Sequence, residues 1–114
     1  MITTRAAVLR QMGLPAPYVA SRPLAIETLQ LAPPADGELL IKVRAAGLCH
    51  SDLSVIDGSR PRPLPVALGH EGAGTVVEVG VGVRDIAAGD PVVFQFSASC
   101  GRCERCLEGR PQIC

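Results

Sequence analysis

The chain has 114 residues, of which 47% are hydrophobic and only 3% aromatic. Eleven Lys and Arg balance eleven Asp and Glu, so the formal net charge is zero, which argues against a nucleic-acid-binding zinc module, a class that usually carries a basic face. That length and apolar content suit one small domain and exclude a disordered tail.

Twelve Gly and ten Pro predict a turn-rich, mostly β chain. A first short apolar strand is expected over Arg5 to Arg10. Gly13 to Pro17 breaks it, and Leu24 to Leu31 reads as a second strand. The turn at Pro33 to Gly37 leads into Glu38 to Ala46. There Leu39, Ile41, Val43 and Ala45 alternate with Leu40, Lys42 and Arg44, the pattern of a half-buried strand. His50 to Ile56 predicts one or two helical turns, ended by Asp57-Gly58. Pro61, Pro63 and Pro65 force an extended loop with few backbone donors. Gly74 to Val79 and Pro91 to Phe96 are two further strands. Neither an internal repeat nor a low-complexity segment interrupts this order. The chain reads as one domain over residues 1–114 with an appended metal loop over 97–114.

That loop carries the strongest chemical signal. Cys100, Cys103, Cys106 and Cys114 stand as Cys-x2-Cys-x2-Cys-x7-Cys. Four thiolates around one ion make a closed, structural zinc site with no position left for water. Disulfides are the competing reading, but Met1 to Arg5 leads into no signal-peptide core. Clustered cysteines outside a secretory context favour metal. An iron–sulfur cluster is the other; its bacterial run wants a third gap of x3 and a following Pro. Free or oxidised thiols are the third. Because the sequence stops on the fourth cysteine, it is expected to be the front piece of a longer protein.

Two more segments carry chemistry. Gly47-Leu48-Cys49-His50-Ser51-Asp52 follows the best-patterned strand, and Gly69-His70-Glu71-Gly72-Ala73-Gly74 holds one of the two histidines. Singly, each has a plain reading: a small core Cys, a turn His, and a Gly-x-Gly that no helix follows and that is therefore no dinucleotide fingerprint.

Taken together, the string Gly69-His70-Glu71-x2-Gly74-x5-Gly80-x2-Val83 resembles the signature of the zinc-dependent alcohol dehydrogenases of the medium-chain dehydrogenase/reductase family. Cys49 to Asp52 stands where that family has its first catalytic-zinc ligand, and the cysteine loop is spaced like its structural-zinc lobe. The resemblance covers nearly the whole chain. It implies a GroES-like, partly open β-barrel with a short helix and a structural-zinc loop, the downstream Rossmann domain being absent from these residues.

The resemblance also implies roles. Cys49 and His70 match the thiolate and imidazole ligands of the catalytic zinc. Cys2His is the known ligand set of that family's zinc, and the second Cys lies further along than this sequence reaches. Glu71 matches a carboxylate that approaches the metal. Asp52 matches the group that orients the His70 ring, where a helix N-terminal charge is the plain alternative. Ser51 matches the hydroxyl that bonds the substrate oxygen and starts the proton relay; otherwise it is an N-cap. His50 falls where the family places His or Arg near the cofactor pyrophosphate. Ser54 occupies the position where the relay often ends on a His, so its last step departs from the family pattern. Phe96 matches a substrate-pocket wall and equally suits a core.

The implied enzyme oxidises an alcohol to an aldehyde or ketone with hydride transfer to NAD or NADP. It holds two zinc ions per subunit, is cytoplasmic, and is a homodimer or homotetramer with no nucleic-acid or membrane partner. The chain alone is expected to be inactive. A glutathione-dependent formaldehyde dehydrogenase is the nearest alternative, and a polyol dehydrogenase, usually Gly where His50 stands, is a weaker one. A zinc-free quinone reductase lacks both the cysteine loop and Cys49. A non-enzymatic zinc module leaves Cys49, His70 and Glu71 without a purpose.

Overall fold

In the computed structural model, which describes residues 1–114, strand β1 (Ile2–Leu9) is the centre of the first sheet. It pairs antiparallel with β2 (Leu24–Leu31) along its whole length, Ile2 facing Leu31 and Leu9 facing Leu24. On its other edge Val8 and Leu9 pair with Ala67 and Val66 of the short β4 (Val66–Ala67). β1 begins at Ile2, ahead of the expected Arg5. The β-branched Thr3 and Thr4 suit a pleated strand, and the Gln30 side-chain amide donates to Thr3 Oγ1 at 2.9 Å across the pair.

The second sheet runs β3 (Leu39–Ala46), β5 (Gly72–Val79), β6 (Pro91–Val93), again antiparallel. β5 starts two residues before the expected Gly74. β6 stops at Val93, short of the expected Phe96. The Phe94 N–H donates to the Gly72 carbonyl at 2.8 Å as the last rung, and beyond Gly72 β6 has no partner left. Gly74 is buried where β5 meets β3, and a Cβ there would run into the Lys42 carbonyl and Ile41. Only glycine permits that approach.

Three short helices complete the chain: α1 (Tyr18–Ser21), α2 (His50–Ile56) and α3 (Glu104–Leu107), with a 3-10 turn at Pro111–Ile113. α2 has the expected bounds, whereas α1, β4 and α3 carried no periodic signal because each spans four residues or fewer. No helix is long and apolar enough to cross a membrane.

The core sits under α2. Val55 and Ile56 from its last turn pack on Leu9 of β1, with Met12, Tyr18, Leu64, Val66 and Leu68 around them. This one cluster anchors both α2 and the β4 segment that leads to His70.

The two sheets do not close into a full barrel. A cavity of about 720 Å³ opens between them, lined by Ala6 of β1, Leu40 and Lys42 of β3, and Phe94. The expected half-burial of β3 therefore fails beyond Ile41: Val43 is 51% exposed. Its register also slips between Leu40 and Ile41 and between Val43 and Ala45, which breaks the strict alternation. The accessible surface is 8334 Å², where a compact monomer of this mass exposes roughly 6,000 Å². The radius of gyration is 16.5 Å, against about 13 Å for a compact chain of this length.

Candidate functional site

Two segments converge beside the core. Cys49 precedes α2 in an extended conformation, and Ser51 and Asp52 occupy the helix's first turn. His70 follows Gly69, whose φ of +115° lies in the region that favours glycine. The swing at Gly69 turns the chain from β4 toward α2. As a result Ser51 Oγ lies 3.2 Å from Cys49 Sγ and 3.2 Å from His70 Nε2. The other ring nitrogen, His70 Nδ1, lies 3.4 Å from Asp52 Oδ1. Asp52 thus faces the nitrogen that carries the proton in the tautomer with Nε2 free.

Ligand atoms of Cys49, His70 and Glu71 all lie within 4.8 Å of one another. The Ser51 hydroxyl is the largest cause holding the Cys49 thiol below its ordinary value, followed by the Ser51 N–H and His70. His70 is raised, first by its hydrogen bond with Cys49, then by the charges of Asp52, Cys49 and Glu71 working against desolvation. A thiolate, an imidazole and a carboxylate form a donor set that zinc accepts. Gly47 makes room for it: a Cβ at Gly47 would overlap the Glu71 carboxylate, and the Gly47 N–H donates to the Glu71 carbonyl at 3.2 Å.

The remaining candidates lie at the margin. His50 is exposed, and its Nδ1 is 3.5 Å from Ser54 Oγ, which donates to the His50 carbonyl at 3.2 Å. That bond ties Ser54 back into its own helix and away from Ser51. Phe96 is 82% exposed and meets the His70 ring edge-on, with centroids 6.3 Å apart. It neither packs in the core nor lines the cavity between the sheets; Phe94 does the latter.

The second centre is local in sequence. Its four sulfurs also lie within 4.8 Å of one another. The Cys103 sulfur is 3.5 Å from that of Cys106 and 3.8 Å from that of Cys114. A disulfide needs about 2.05 Å, and all five cysteines are free. Four sulfurs at about 2.3 Å from one zinc stand about 3.8 Å apart along each tetrahedral edge, so the observed spacings fit that ion.

Backbone N–H groups already point at these sulfurs. Arg102 and Cys103 donate to Cys100 Sγ at 3.4 and 3.3 Å, and Cys100 donates to Cys114 Sγ at 3.4 Å. The Arg102 and Cys103 donors pull Cys100 down to about 6. Cys114 is lowered by the Cys100 N–H, but the thiols of Cys100, Cys103 and Cys106 outweigh it and push it up to about 11. Neighbouring thiolates repel one another, and a central cation removes that conflict. Sequence spacing gives the four cysteines but not these N–H donors, which sit around the turn at Gly101, φ +71°.

The family model for the alcohol dehydrogenase GroES-like domain matches residues 35–114. The NDMA-dependent alcohol dehydrogenase of Amycolatopsis methanolica is 46% identical over 97% of this chain, which spans 28% of that relative. An Escherichia coli O1:K1 S-(hydroxymethyl)glutathione dehydrogenase is 46% identical over 85% of the chain and 27% of its own length. The crystal structure of an alcohol dehydrogenase zinc-binding domain protein from Burkholderia ambifaria superposes with a TM-score of 0.85 at 42% identity, over 99% of this chain and 28% of that one. The chain thus spans under a third of the length of these relatives. With the family model matched over most of the sequence, the chain belongs to the zinc-dependent, medium-chain alcohol dehydrogenases, as their GroES-like domain.

Proposed function

We propose that this chain supplies the metal-binding and proton-handling part of an enzyme that oxidises an alcohol to an aldehyde or ketone, with NAD or NADP as hydride acceptor. The observation that carries the reading is the position of Ser51 Oγ, 3.2 Å from both Cys49 Sγ and His70 Nε2.

Cys49, His70 and Glu71 would hold the catalytic zinc, and Cys100, Cys103, Cys106 and Cys114 a structural one. When bound, zinc supplies Lewis-acid chemistry that makes an alcohol hydroxyl a stronger acid, and the nicotinamide accepts the hydride. The Ser51 hydroxyl orients the substrate oxygen and accepts its proton while passing its own on toward solvent. The substrate O–H and C–H bonds break, the C=O bond forms, and one proton leaves the site. Asp52 keeps the proton of His70 on Nδ1 and fixes the ring. His50 stands at the helix start as a contact for the cofactor pyrophosphate, and Ser54 with water carries the proton outward. Phe96 covers the His70 ring from the substrate side. The dinucleotide would bind residues beyond these 114, in a subunit of a homodimer or homotetramer.

Dehydrogenase activity in the zinc-loaded enzyme tests this reading. Cys49→Ala and His70→Ala should abolish turnover and lose one zinc per subunit. Full activity in either variant would contradict it. A second reading, with S-(hydroxymethyl)glutathione as substrate, is favoured by the Escherichia coli relative. Turnover of formaldehyde that depends on added glutathione would select it.

A further inference from the structure

A separate cavity of about 350 Å³ adjoins Ser51 and His70, and two arginines, Arg60 and Arg62, line it with them. We propose that Arg60 and Arg62 form an anion-recognition flank of the substrate cavity, so that the preferred substrate is an alcohol or aldehyde carrying a carboxylate or phosphate group. This rests on the dehydrogenase reading and adds a substrate class to it.

Two observations support the flank. Neither arginine enters an ion pair; the pairs are Arg10–Glu27, His70–Asp52, Arg105–Glu108 and Arg110–Glu108. The one carboxylate on this cavity is Asp52, and it already faces His70 Nδ1 at 3.4 Å. Two arginines thus line the cavity without an ion-pair partner, and guanidinium forks match carboxylate and phosphate oxygens two at a time.

The loop that carries them is fastened to the helix that carries Ser51. The Arg60 N–H donates to the Ser54 carbonyl at 2.9 Å, and Ser59 Oγ donates to the same carbonyl at 3.3 Å. The Ser59 N–H donates to Asp57 Oδ1 at 2.7 Å. Pro61 between the arginines and Pro63 after them fix φ and reduce the freedom of the loop. One short helix and its pinned exit thus set the spacing between the reacting oxygen and the anion. A cationic cleft also concentrates anionic substrates before they bind.

The test uses the full-length, zinc-loaded enzyme and two matched aldehyde pairs: 4-formylbenzoate with 4-methylbenzaldehyde, and glycolaldehyde phosphate with glycolaldehyde. The anionic member of at least one pair should have the higher kcat/KM. Arg60→Gln/Arg62→Gln should cut that preference about tenfold or more, mostly through KM, as expected for lost charge-assisted hydrogen bonds. Arg60→Lys/Arg62→Lys should restore part of it. KM for the anionic member should rise with ionic strength in the unmodified enzyme, a readout that needs no variant to fold. The pair that responds names the anion. Equal kcat/KM within both pairs, or a preference the Gln variant leaves intact, overturns the proposal.

Calorimetric titration with benzene-1,4-dicarboxylate and with inorganic phosphate reads the flank without turnover. If none of the aldehydes is reduced, the dehydrogenase reading falls. Binding of either anion that weakens about tenfold or more in the Gln variant then still supports the flank; absent or unchanged binding overturns it.

Discussion

Asp52 Oδ1 lies 3.4 Å from His70 Nδ1, while Ser51, its neighbour in the chain, lies 3.2 Å from Nε2 on the opposite edge of the same ring. One helical turn therefore addresses both nitrogens of one imidazole. Val55 and Ile56, later in the same helix, bury themselves against Leu9 and fix the turn in place. Packing and ring orientation have the same cause.

Asp52→Asn keeps the shape of the side chain and removes its charge. It should lower zinc affinity at the Cys49–His70 site by about 10- to 100-fold, as for other lost partners of ligating histidines. Competition with a chromophoric chelator measures this. Zinc at the four-cysteine centre serves as the internal control and should not change.

The four-cysteine centre should retain one zinc through dialysis, and Cys103→Ser should release it. Cobalt substituted there should give the intense visible spectrum of tetrahedral thiolate coordination. A brown protein containing iron, or an unchanged zinc content in Cys103→Ser, would contradict the assignment. Metal removal should also expose the loop around α3 to protease, since few other contacts hold it.

Much of this was legible in the residues, and the reasons are physical. The Leu24–Leu31 strand and the His50–Ile56 helix have the expected bounds, because Pro23 and Asp57-Gly58 punctuate them. Cys49 and His70 came from the resemblance to the alcohol dehydrogenase signature, and the fold shows how residues twenty-one positions apart meet: both segments lean on the cluster around Leu9. The exposure of β3 could not be read from its alternation. Alternation reports which face seeks burial, and the opposite sheet stands off across the 720 Å³ cavity. Arg60 and Arg62 belong to no motif, and only the fold shows that they line a cavity with Ser51 and His70, on a loop tied back to α2 by the Arg60 N–H. α1, β4 and α3 are too short for periodicity to reveal.

Gly47→Ala tests the space around Glu71. The added methyl overlaps the Glu71 carboxylate and crowds its Cβ at 3.2 Å. The carboxylate must move, and zinc affinity at Cys49–His70 should fall with little change at the four cysteines. Unchanged zinc affinity at Cys49–His70 in Gly47→Ala would show that Glu71 takes no part in holding the ion.

Stability should carry a small acid dependence from one ion pair. Arg10 donates to both oxygens of Glu27, at 2.8 and 2.7 Å. The hydrogen bond from Arg10 is the largest cause holding Glu27 below its ordinary value of 4.5; desolvation opposes it and the Arg10 charge assists. A carboxylate lowered in the folded state stabilises fully above its unfolded value and loses that contribution as pH falls through its folded value. Glu27→Gln should lower Tm slightly at pH 7, and the difference should vanish in acid below the folded value. A Tm gap that persists or widens there contradicts this. The pair is exposed, so the effect should be small and weaken with salt.

Ser54→Ala should cost turnover far less than loss of Ser51. Ser54 Oγ donates to its own helix at the His50 carbonyl, and water can replace it in carrying a proton outward. Pre-steady-state rates with protiated and deuterated solvent would show the difference. A loss in Ser54→Ala as large as in Ser51→Ala would place an obligatory proton carrier at Ser54.

The central claim is that Ser51 handles the substrate proton, and the most direct test is turnover of Ser51→Ala in the full-length enzyme at matched zinc content across pH. The account predicts retained zinc and a loss on the order of 10²-fold or more, the size of a missing general acid–base step. A variant that matches the unmodified enzyme at every pH would show that Ser51 only caps its helix, and would contradict the mechanism at its first proton transfer.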